Sequence, residues 1–546
     1  MNYKKILLVL IVYSICAALL PWLPGIDARI GAISLRLHSA GNVTAGILWI
    51  CVILYGAYRP FRARAESCLD FLDTADQRIL RNIVWIIVCI IFVTSVSYKL
   101  KAHASFQTHA LDLGIYATNC WNTLNGRIMW NSLLGQNYLG HHLNVTVIPL
   151  SLAFLLWKNA GVLLIVQSAV ISLAFPAVYR IVHALKFRIS YCFALSLIFM
   201  SHPMIIKLLD FDFQNEVFII LFYCWAIAFW LQRKNILMFI MIALALLVKE
   251  DITLTLAGWG FVMLITGRDR LWYGLSLITA GVVYFIVSVK LIIPYFYPGE
   301  GISNLYRYSA MGSTWGEIIM TVMRHPVNLF LFYMKHMSMV PLLNLLSGFA
   351  FVCILNPLYL IPVVLGLLPH VISSTQGQYN LSEIYVAASI PFLFLASLKG
   401  LQVLQKKYHT KLFNRILTGV IMFLLAFNFT RSARFYKHVP RARMRAAKKM
   451  ILLIEPYASV LAQSDLLPHV VCRDRIQSFP QWDSTFEYLH NPDYIMVDTR
   501  GNSSPFTYKQ WEAEYHAMRE SGTHVLVYDE QGYQLWKNKY TFKENL

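Results

Sequence analysis

The chain is 546 residues long, 57% of its residues are hydrophobic, only 14% are charged, and its formal net charge is +19. A soluble domain carries about 25% charged residues and a disordered chain has low hydrophobicity, so both classes are excluded and lipid must solvate much of the surface. Nine cysteines, sparse and odd in number, exclude a disulfide scaffold. With no nucleic-acid recognition motif, basic cytoplasmic loops explain the positive charge better than a nucleic-acid partner does.

Apolar stretches that approach the length of a spanning helix, about 20 residues, recur along most of the chain. Together they predict a mainly α-helical, polytopic membrane domain over residues 1–429, with about thirteen transmembrane helices. The predicted spans are 6–24, 43–58, 82–98, 160–180, 189–206, 217–232, 235–248, 252–266, 271–293, 326–346, 347–368, 385–398 and 412–429.

Basic residues in the short connections indicate the orientation of these helices. With a cytoplasmic N-terminus, every short basic connection falls inside, provided that the apolar segment from Val145 to Trp157 lies along the outer surface without crossing. We therefore expect a multi-pass protein of the inner (cytoplasmic) membrane. Its long polar loops then lie on the outer face, at residues 99–142, 207–216, 249–251, 294–325 and 369–384.

The first outer loop, residues 99–142, is about 44 residues long, a length typical of functional segments. Asp112 precedes an amphipathic stretch, where a carboxylate serves either as a helix N-cap or as a functional acid, and both interpretations stay open. His141 and His142 end the loop. Hydrogen bonding or contact with a phosphate suits this pair better than metal binding does.

The second outer loop places Asp210, Asp212 and Glu216 within seven residues, interleaved with aromatic residues. Such acids suit a divalent-cation site or a site for sugar hydroxyls, and a solvated loop with interfacial aromatic residues is the simpler alternative.

Charged residues also mark the third and fourth loops. Lys249, Glu250 and Asp251 stand between two short apolar segments, where local salt bridges and direct contact with a ligand are both consistent with the sequence. Arg307 lies between two tyrosines, a setting that suits a phosphate or sugar contact and equally an interfacial aromatic belt.

Residues 430–546 differ in composition from the rest and predict a basic linker followed by a small, soluble α/β domain outside the membrane. The segment from Arg431 to Lys449 contains eight Lys or Arg and no acid, and it is either a solvated linker or a contact with anionic headgroups. The runs ASVLAQ and DYIMVD predict strands, and THVLVYDEQGYQLWK predicts a hairpin that turns at Gln531 and Gly532.

Several segments, taken in order over roughly residues 80–500, resemble the predicted membrane proteins of domain of unknown function family 2079. They are ALDLGIYATNCWNTLNGR, GHHLN, QSAVISLAFPAVYRI, DFQNE, VKED, VAASIPFLFLASLKGL, PYASVLAQSDLLPHVVCRDRIQSFP and DYIMVD. That family is similar in layout to the glycosyltransferase C superfamily, whose members carry a catalytic acid in a long first outer loop and use polyprenyl-phosphate sugars as donors. The resemblance implies that Asp112 is this acid. The chain has Gln214 and Ile384 where the family pattern has histidines, which puts in doubt any metal or acid/base role there.

These features predict an integral membrane glycosyltransferase that moves a hexose or pentose from a polyprenyl-phosphate donor to an extracytoplasmic acceptor with inversion. Asp112 would accept the proton of the attacking hydroxyl. A cation would stabilise the leaving phosphate. This cation is either a side chain (Lys249, Arg307 or His142) or a divalent metal at Asp210, Asp212 or Glu216.

The alternative function is a transporter or flippase of lipid-linked or small polar cargo, which would show internal repeats and charges at mid-membrane depth. No internal repeat is evident in the sequence. Membrane lipids are the partners expected besides the donor, whereas the sugar, the acceptor, any metal requirement and the oligomeric state are not fixed by the sequence.

Overall fold

The computed structural model describes residues 26–30, 33–37, 40–267, 271–297, 305–325, 327, 339–408, 410–432, 439–480, 489, 491–501 and 506–540. Most of this described part is α-helical. Its helices are α1 (Ala40–Ala57), α2 (Arg59–Thr74), α3 (Gln77–Ala104), α4 (Ile115–Leu124), α5 (Val147–Ser151), α6 (Ala153–Leu156), α7 (Gly161–Ser172), α8 (Ala174–Ala184), α9 (Ile189–Met200), α10 (Pro203–Asp210), α11 (Val217–Leu231), α12 (Asn235–Leu246), α13 (Thr253–Thr266), α14 (Leu271–Val287), α15 (Ile293–Phe296), α16 (Trp315–Arg324), α17 (Val340–Ser347), α18 (Ile361–Val371), α19 (Gln376–Tyr379), α20 (Glu383–Val386), α21 (Ile390–Lys407), α22 (Lys411–Ser432), α23 (Arg441–Leu452) and α24 (Tyr508–Glu520).

Four helical segments of the described part are long and apolar enough to cross a membrane, and up to six if each bent pair is one span. The four are Gln77–Ala104, Gly161–Ala184, Leu271–Phe296 and Lys411–Arg431, and the bent pairs are α1 with α2 and α9 with α10. Shorter apolar helices of 10–17 residues are also described, among them α11 and α12. The chain is therefore a membrane protein with several apolar helices, while the predicted span at 6–24 lies outside the described residues.

Local sequence signals set several helix ends. The carboxylate of Asp76 accepts a hydrogen bond from the Arg78 N–H at the start of α3, 3.3 Å away. Pro203 occupies the first turn of α10, where its missing N–H costs nothing. In α24 the side chains of Thr507 and Gln510 form a reciprocal capping box.

Small residues allow close packing between the apolar helices. A Cβ at Gly260 of α13 would lie 2.6 Å from the carbonyl oxygen of Gly274 in α14, so glycine at this position permits the two backbones to meet. Large aromatic side chains fill the interior beside this contact, with Trp259 against Phe392 at 5.2 Å between ring centroids. The helices consequently share one continuous hydrophobic core.

Short strands are few outside the C-terminal domain. Outside that domain, the described residues form two antiparallel strand pairs, β1 (Ile26–Ile30) with β2 (Ile33–Leu37) and β3 (Trp130–Asn131) with β4 (Gln136–Asn137).

The C-terminal domain contains a five-stranded mixed sheet of order β6-β5-β7-β9-β8. Its strands are β5 (Val460–Gln463), β6 (Ile476–Phe479), β7 (Tyr494–Asp498), β8 (His524–Glu530) and β9 (Tyr533–Asn538). Strands β6, β5 and β7 run parallel, and β9 pairs antiparallel with β7 and β8. The predicted hairpin is confirmed, since Gln531 and Gly532 turn with φ of 57° and 87°.

The predicted basic linker contains helix α23, which packs on this sheet. Ala446, Ala447 and Met450 are fully buried, and the basic face forms ion pairs from Arg443 to Asp498 and from Lys449 to Glu530. Much of the basic segment is thus an integral helix of the C-terminal domain.

A second hydrophobic core joins the predicted first outer loop to the C-terminal domain. It includes Leu113 and Tyr116 from the loop, Phe213 from the second loop, and Val460 and Leu467 from the domain. The C-terminal domain is therefore packed directly against the segment that carries Asp112.

Candidate functional site

Asp112 lies at a strained bend between α3 and α4. Its φ is 61° and its ψ is −74°, close to the rare and strained form of the γ-turn. Residues held in such conformations cost on the order of 1–3 kcal/mol and concentrate at functional sites. Helix α4 begins at Ile115 with Gly114 as its N-cap and without a side-chain cap, so the interpretation of Asp112 as a helix N-cap is wrong.

The strained bend is held from two sides. The Ala110 N–H donates to Ser464 Oγ of the C-terminal domain at 3.3 Å, and a Cβ at Gly114 would lie 2.8 Å from a side-chain carbon of Leu467. On the other side, the His109 N–H donates to Asp212 Oδ2 of the second loop at 2.6 Å. Contacts to two separate parts of the chain thus fix the backbone of Asp112.

The surroundings of Asp112 disfavour its charged form. Burial raises the pKa of its carboxyl group to about 7, and the negative charges of Glu216 and Asp212 add to the effect. A carboxyl group that titrates near neutral pH can both accept and release a proton under physiological conditions.

Asp212 makes the contact between the first two loops. Its Oδ2 atom lies 3.1 Å from His109 Nδ1 as well as bonding the His109 backbone. The bond to Asp212 raises the pKa of His109, against the opposing effect of burial. This pair places the His109 imidazole three residues before Asp112.

Glu216, Lys249 and Asp251 form an ion-paired group in which Glu216 is buried and the other two are partly buried. Lys249 Nζ lies 3.0 Å from Glu216 Oε1 and 3.3 Å from Asp251 Oδ2, with side-chain exposures of 12% for Lys249 and 7% for Glu216. Burial lowers the pKa of Lys249, but Asp251, Glu216 and Glu250 outweigh it and raise the pKa well above its usual value. The local salt bridge anticipated for Lys249 therefore exists, and it extends to a second loop.

His142 and Glu250 connect the end of the first loop to the third. His142 Nδ1 is 2.8 Å from Glu250 Oε1, and the Leu143 N–H donates to Glu250 Oε2 at 3.0 Å. Burial raises the pKa of Glu250, but His142 and Lys249 outweigh this effect and the pKa falls below its usual value. His141 lies half-buried beside this pair, and desolvation holds its pKa well below its usual value.

Neutral polar side chains complete the connection between the first two loops. Asn215 Nδ2 donates to Asn144 Oδ1 at 2.8 Å and to Thr146 Oγ1 at 2.7 Å. Both amide side chains are buried, so these hydrogen bonds join the two loops in a region shielded from solvent.

Arg307 brings the fourth and fifth loops to the same region. Its carbonyl oxygen accepts from the Ser374 N–H at 2.7 Å and from Ser374 Oγ at 2.9 Å. The Arg307 charge acts on the pKa of both His141 and Tyr385, and the Tyr385 ring centroid lies 5.6 Å from Lys249 Nζ. All five predicted outer loops therefore contribute to one polar cluster at one end of the helices.

The predicted site residues occupy distinct places in this cluster. The charges of Asp212, Glu216 and Lys249 act on Asp112. Asp210 is the last residue of α10, and the pairings of the second loop described above run through Asp212 and Glu216. Within the described residues, no group of three His, Cys, Asp or Glu side chains could hold a metal ion. The ammonium group of Lys249 instead lies between the carboxylates of Glu216 and Asp251.

Sequence reasoning missed several partners of the cluster. Asn144 and Asn215 lie in the family-like segments GHHLN and DFQNE but were not singled out there, and His109 and Tyr385 are marked only by their nearness in sequence to the acids and histidines. Ser464 and Leu467, which hold the Asp112 bend, are 354 and 353 residues from the groups they contact.

The fold and the site define a mainly helical membrane protein with a polar cluster at one end of its helices and a small C-terminal domain of strands and helices. The family of predicted membrane proteins DUF2079 matches residues 102–535. The chain belongs to this family. No curated protein matches the chain.

Proposed function

We propose that the chain is an integral membrane glycosyltransferase that moves a sugar from a polyprenyl-phosphate donor to an extracytoplasmic acceptor with inversion. The observation that carries the proposal is Asp112, a carboxyl group on a strained bend with a pKa raised to about 7 by burial. A general base works best when its pKa is near the working pH. Asp112 would accept the proton of the acceptor hydroxyl as that oxygen attacks the anomeric carbon.

Arg307 is the cation best suited to stabilise the departing lipid phosphate. Lys249 already neutralises Glu216 and Asp251, and His142 is paired with Glu250. The positive charge of Arg307 acts electrostatically on His141 and Tyr385 of the cluster. A guanidinium group can bind phosphate oxygens through two parallel hydrogen bonds, so its chemistry suits the leaving group.

The position of the cluster favours an enzyme over a transporter or flippase. Glu216 directly precedes α11, and Glu250 and Asp251 precede α13, so these acids stand at helix ends. A carrier would place its binding groups near the middle of the membrane.

The proposal includes a glycosyltransferase-C-like layout with about thirteen spans, an inner-membrane location, a cytoplasmic N-terminus and an extracytoplasmic C-terminal domain. Two observations support this orientation. The segment Val147–Leu156 is ten residues long, too short to cross a bilayer, and basic residues gather at the far ends of α11 and α13, as expected of cytoplasmic loops.

The test compares cells that lack the gene with cells complemented by the wild-type chain, by Asp112→Asn or by Asp465→Asn. Asp465 is a matched control, because burial raises its pKa to about 7 as well but it belongs to the C-terminal domain. We expect polyprenyl-phosphate sugars to accumulate on deletion, and to be cleared by the wild type and by Asp465→Asn but not by Asp112→Asn. Extracted lipids are analysed by mass spectrometry.

Clearance by Asp112→Asn at the wild-type rate would overturn the role of Asp112 as base. Failure of both variants, at wild-type protein level, would show that the loss comes from altered burial and not from the chemistry of Asp112. No change in any lipid-linked sugar on deletion would overturn the proposed function.

A further inference from the structure

A small internal cavity lies behind the ion-paired group of the candidate site. Its volume is about 10 Å³, and its polar lining comes from Glu216, Lys249, Asp251, Thr255, His370 and Tyr385. A cavity needs roughly 10–15 Å³ to hold one water molecule, together with two to four polar partners. The cavity is thus of the size of a single water and is lined by polar groups.

Three buried polar atoms on this lining have no hydrogen-bond partner among the described residues. They are Glu216 Oε2, Thr255 Oγ1 and His370 Nδ1, and their residues are 5%, 0% and 6% exposed. Buried polar groups in native proteins are almost always satisfied by protein or by ordered water. Three such atoms around one cavity therefore indicate a common ligand.

The chemistry of the three atoms defines that ligand. An ionised Glu216 oxygen only accepts hydrogen bonds, whereas a threonine hydroxyl and a neutral imidazole nitrogen can each donate or accept. The other carboxylate oxygen of Glu216, Oε1, accepts a hydrogen bond from Lys249 Nζ, so the positive charge of Lys249 is already paired. A neutral molecule that donates to Glu216 and also bonds Thr255 and His370 satisfies all three.

The backbone is shaped to keep this space open. Gly366 of α18 faces the cavity, and a Cβ there would overlap the Thr255 hydroxyl oxygen and lie 2.7 Å from Ser389 Oγ. A larger residue would push the hydroxyl groups aside, so glycine preserves the cavity.

We propose that this cavity is a binding site for one structural water molecule, which joins Glu216 of the second loop to Thr255 on α13 and His370 on α18. The water extends the hydrogen-bonded cluster to two further helices. This inference is independent of the proposed enzymatic activity, because it depends on the resting protein alone.

The test is an experimental structure of the full-length protein in nanodiscs, at a resolution of roughly 2 Å that reveals ordered water. We expect one peak within about 2.6–3.2 Å of Glu216 Oε2, Thr255 Oγ1 and His370 Nδ1. In Gly366→Ala the peak should be lost. Absence of the peak in the wild type, or a peak that vanishes when Na⁺ is replaced by choline, would overturn the proposal, the latter by identifying a cation.

Thermal unfolding of matched valine variants gives a second measurement. Thr255→Val removes one partner of the water, and we expect the unfolding temperature to fall by about 2 °C. Thr266→Val on the same helix is the control, because that hydroxyl is satisfied by the Val262 carbonyl oxygen 2.8 Å away. Equal unfolding temperatures for wild type and Thr255→Val would contradict a bound water.

Discussion

The two ends of helices α11 and α13 carry charge in different ways. One end holds the polar cluster, where the buried Glu216 is paired with the largely buried Lys249. The other end opens on a cavity of about 460 Å³ whose lining includes Lys186, Arg233 and Lys399, the first two of them exposed. A helix of 15 residues such as α11 separates the two regions by roughly 22 Å.

This difference shows which charged residues contribute most to the stability of the fold. Exposed basic residues at a helix end are solvated and interact favourably with the helix dipole, so each contributes little to stability. Buried charges are stable only with partners, and in the polar cluster those partners come from different loops. Helices α11 and α13 therefore connect the polar cluster, whose buried charges need specific partners, to the basic end, whose exposed charges are solvated.

The largest expected effect on stability comes from Lys249→Met. The variant leaves Glu216 and Asp251 without their shared cation, and we expect the free energy of unfolding to fall by about 3–5 kcal/mol. Denaturant unfolding in detergent micelles measures the change. Adding Glu216→Gln to Lys249→Met should recover part of the loss, and no recovery would contradict the pairing.

The next effect is a pH dependence that comes from Asp112. Its folded pKa of about 7 lies above its usual value of 3.8, so ionisation is disfavoured in the folded state. The stability that the protonated form provides is fully present below about pH 4 and is lost as the pH rises towards 7, by up to about 4 kcal/mol. Asp112→Asn should therefore become more stable relative to wild type over this range, and a flat difference between the two unfolding curves would contradict the pKa shift.

Glu250 should show the opposite dependence at lower pH. Its folded pKa lies below its usual value of 4.5, so its contribution is present above about 4.5 and is lost as the pH falls through the folded value. At pH 7 we expect Glu250→Gln to cost about 1–3 kcal/mol, because it weakens the bonds to His142 and the Leu143 N–H. The deficit, followed by thermal unfolding, should shrink as the solution is acidified, and a constant deficit would argue against an ionised Glu250.

The smallest effect is expected at the basic end. Lys186→Met makes the same chemical change as Lys249→Met, but the side chain is exposed, so stability should change by less than about 0.5 kcal/mol. Parallel unfolding measurements on both lysine variants compare the two regions directly. Equal losses of stability in Lys186→Met and Lys249→Met would show that burial does not distinguish the two regions.

The sequence was sufficient wherever local chemistry decides structure. The hairpin at Gln531 and Gly532 formed as its turn residues required, and the apolar stretches became helices because burial of side chains and of backbone polar groups favours them. The helix within the basic segment was not recognised, because its contacts are with a sheet formed from residues that follow it.

The candidate site shows the same limit. The acids and basic residues of five loops could be picked out by residue type and position, but the sequence did not indicate that Lys249 also pairs with Glu216 or that His109 pairs with Asp212. The strain at Asp112 could not be predicted either, since an aspartate before an amphipathic stretch is compatible with an ordinary helix cap.

By itself, the sequence determined that this protein lies in a membrane, that its apolar segments are helical and that its charges collect in connecting loops. These properties follow from hydropathy and from the period of the backbone, which are local. Only the tertiary structure decided that the five polar loops meet, that Lys249 bridges Glu216 and Asp251, and that Ser464 and Leu467 hold the bend at Asp112. Pairing and strain depend on groups far apart in the chain, and their geometry exists only once the helices and the C-terminal domain have packed.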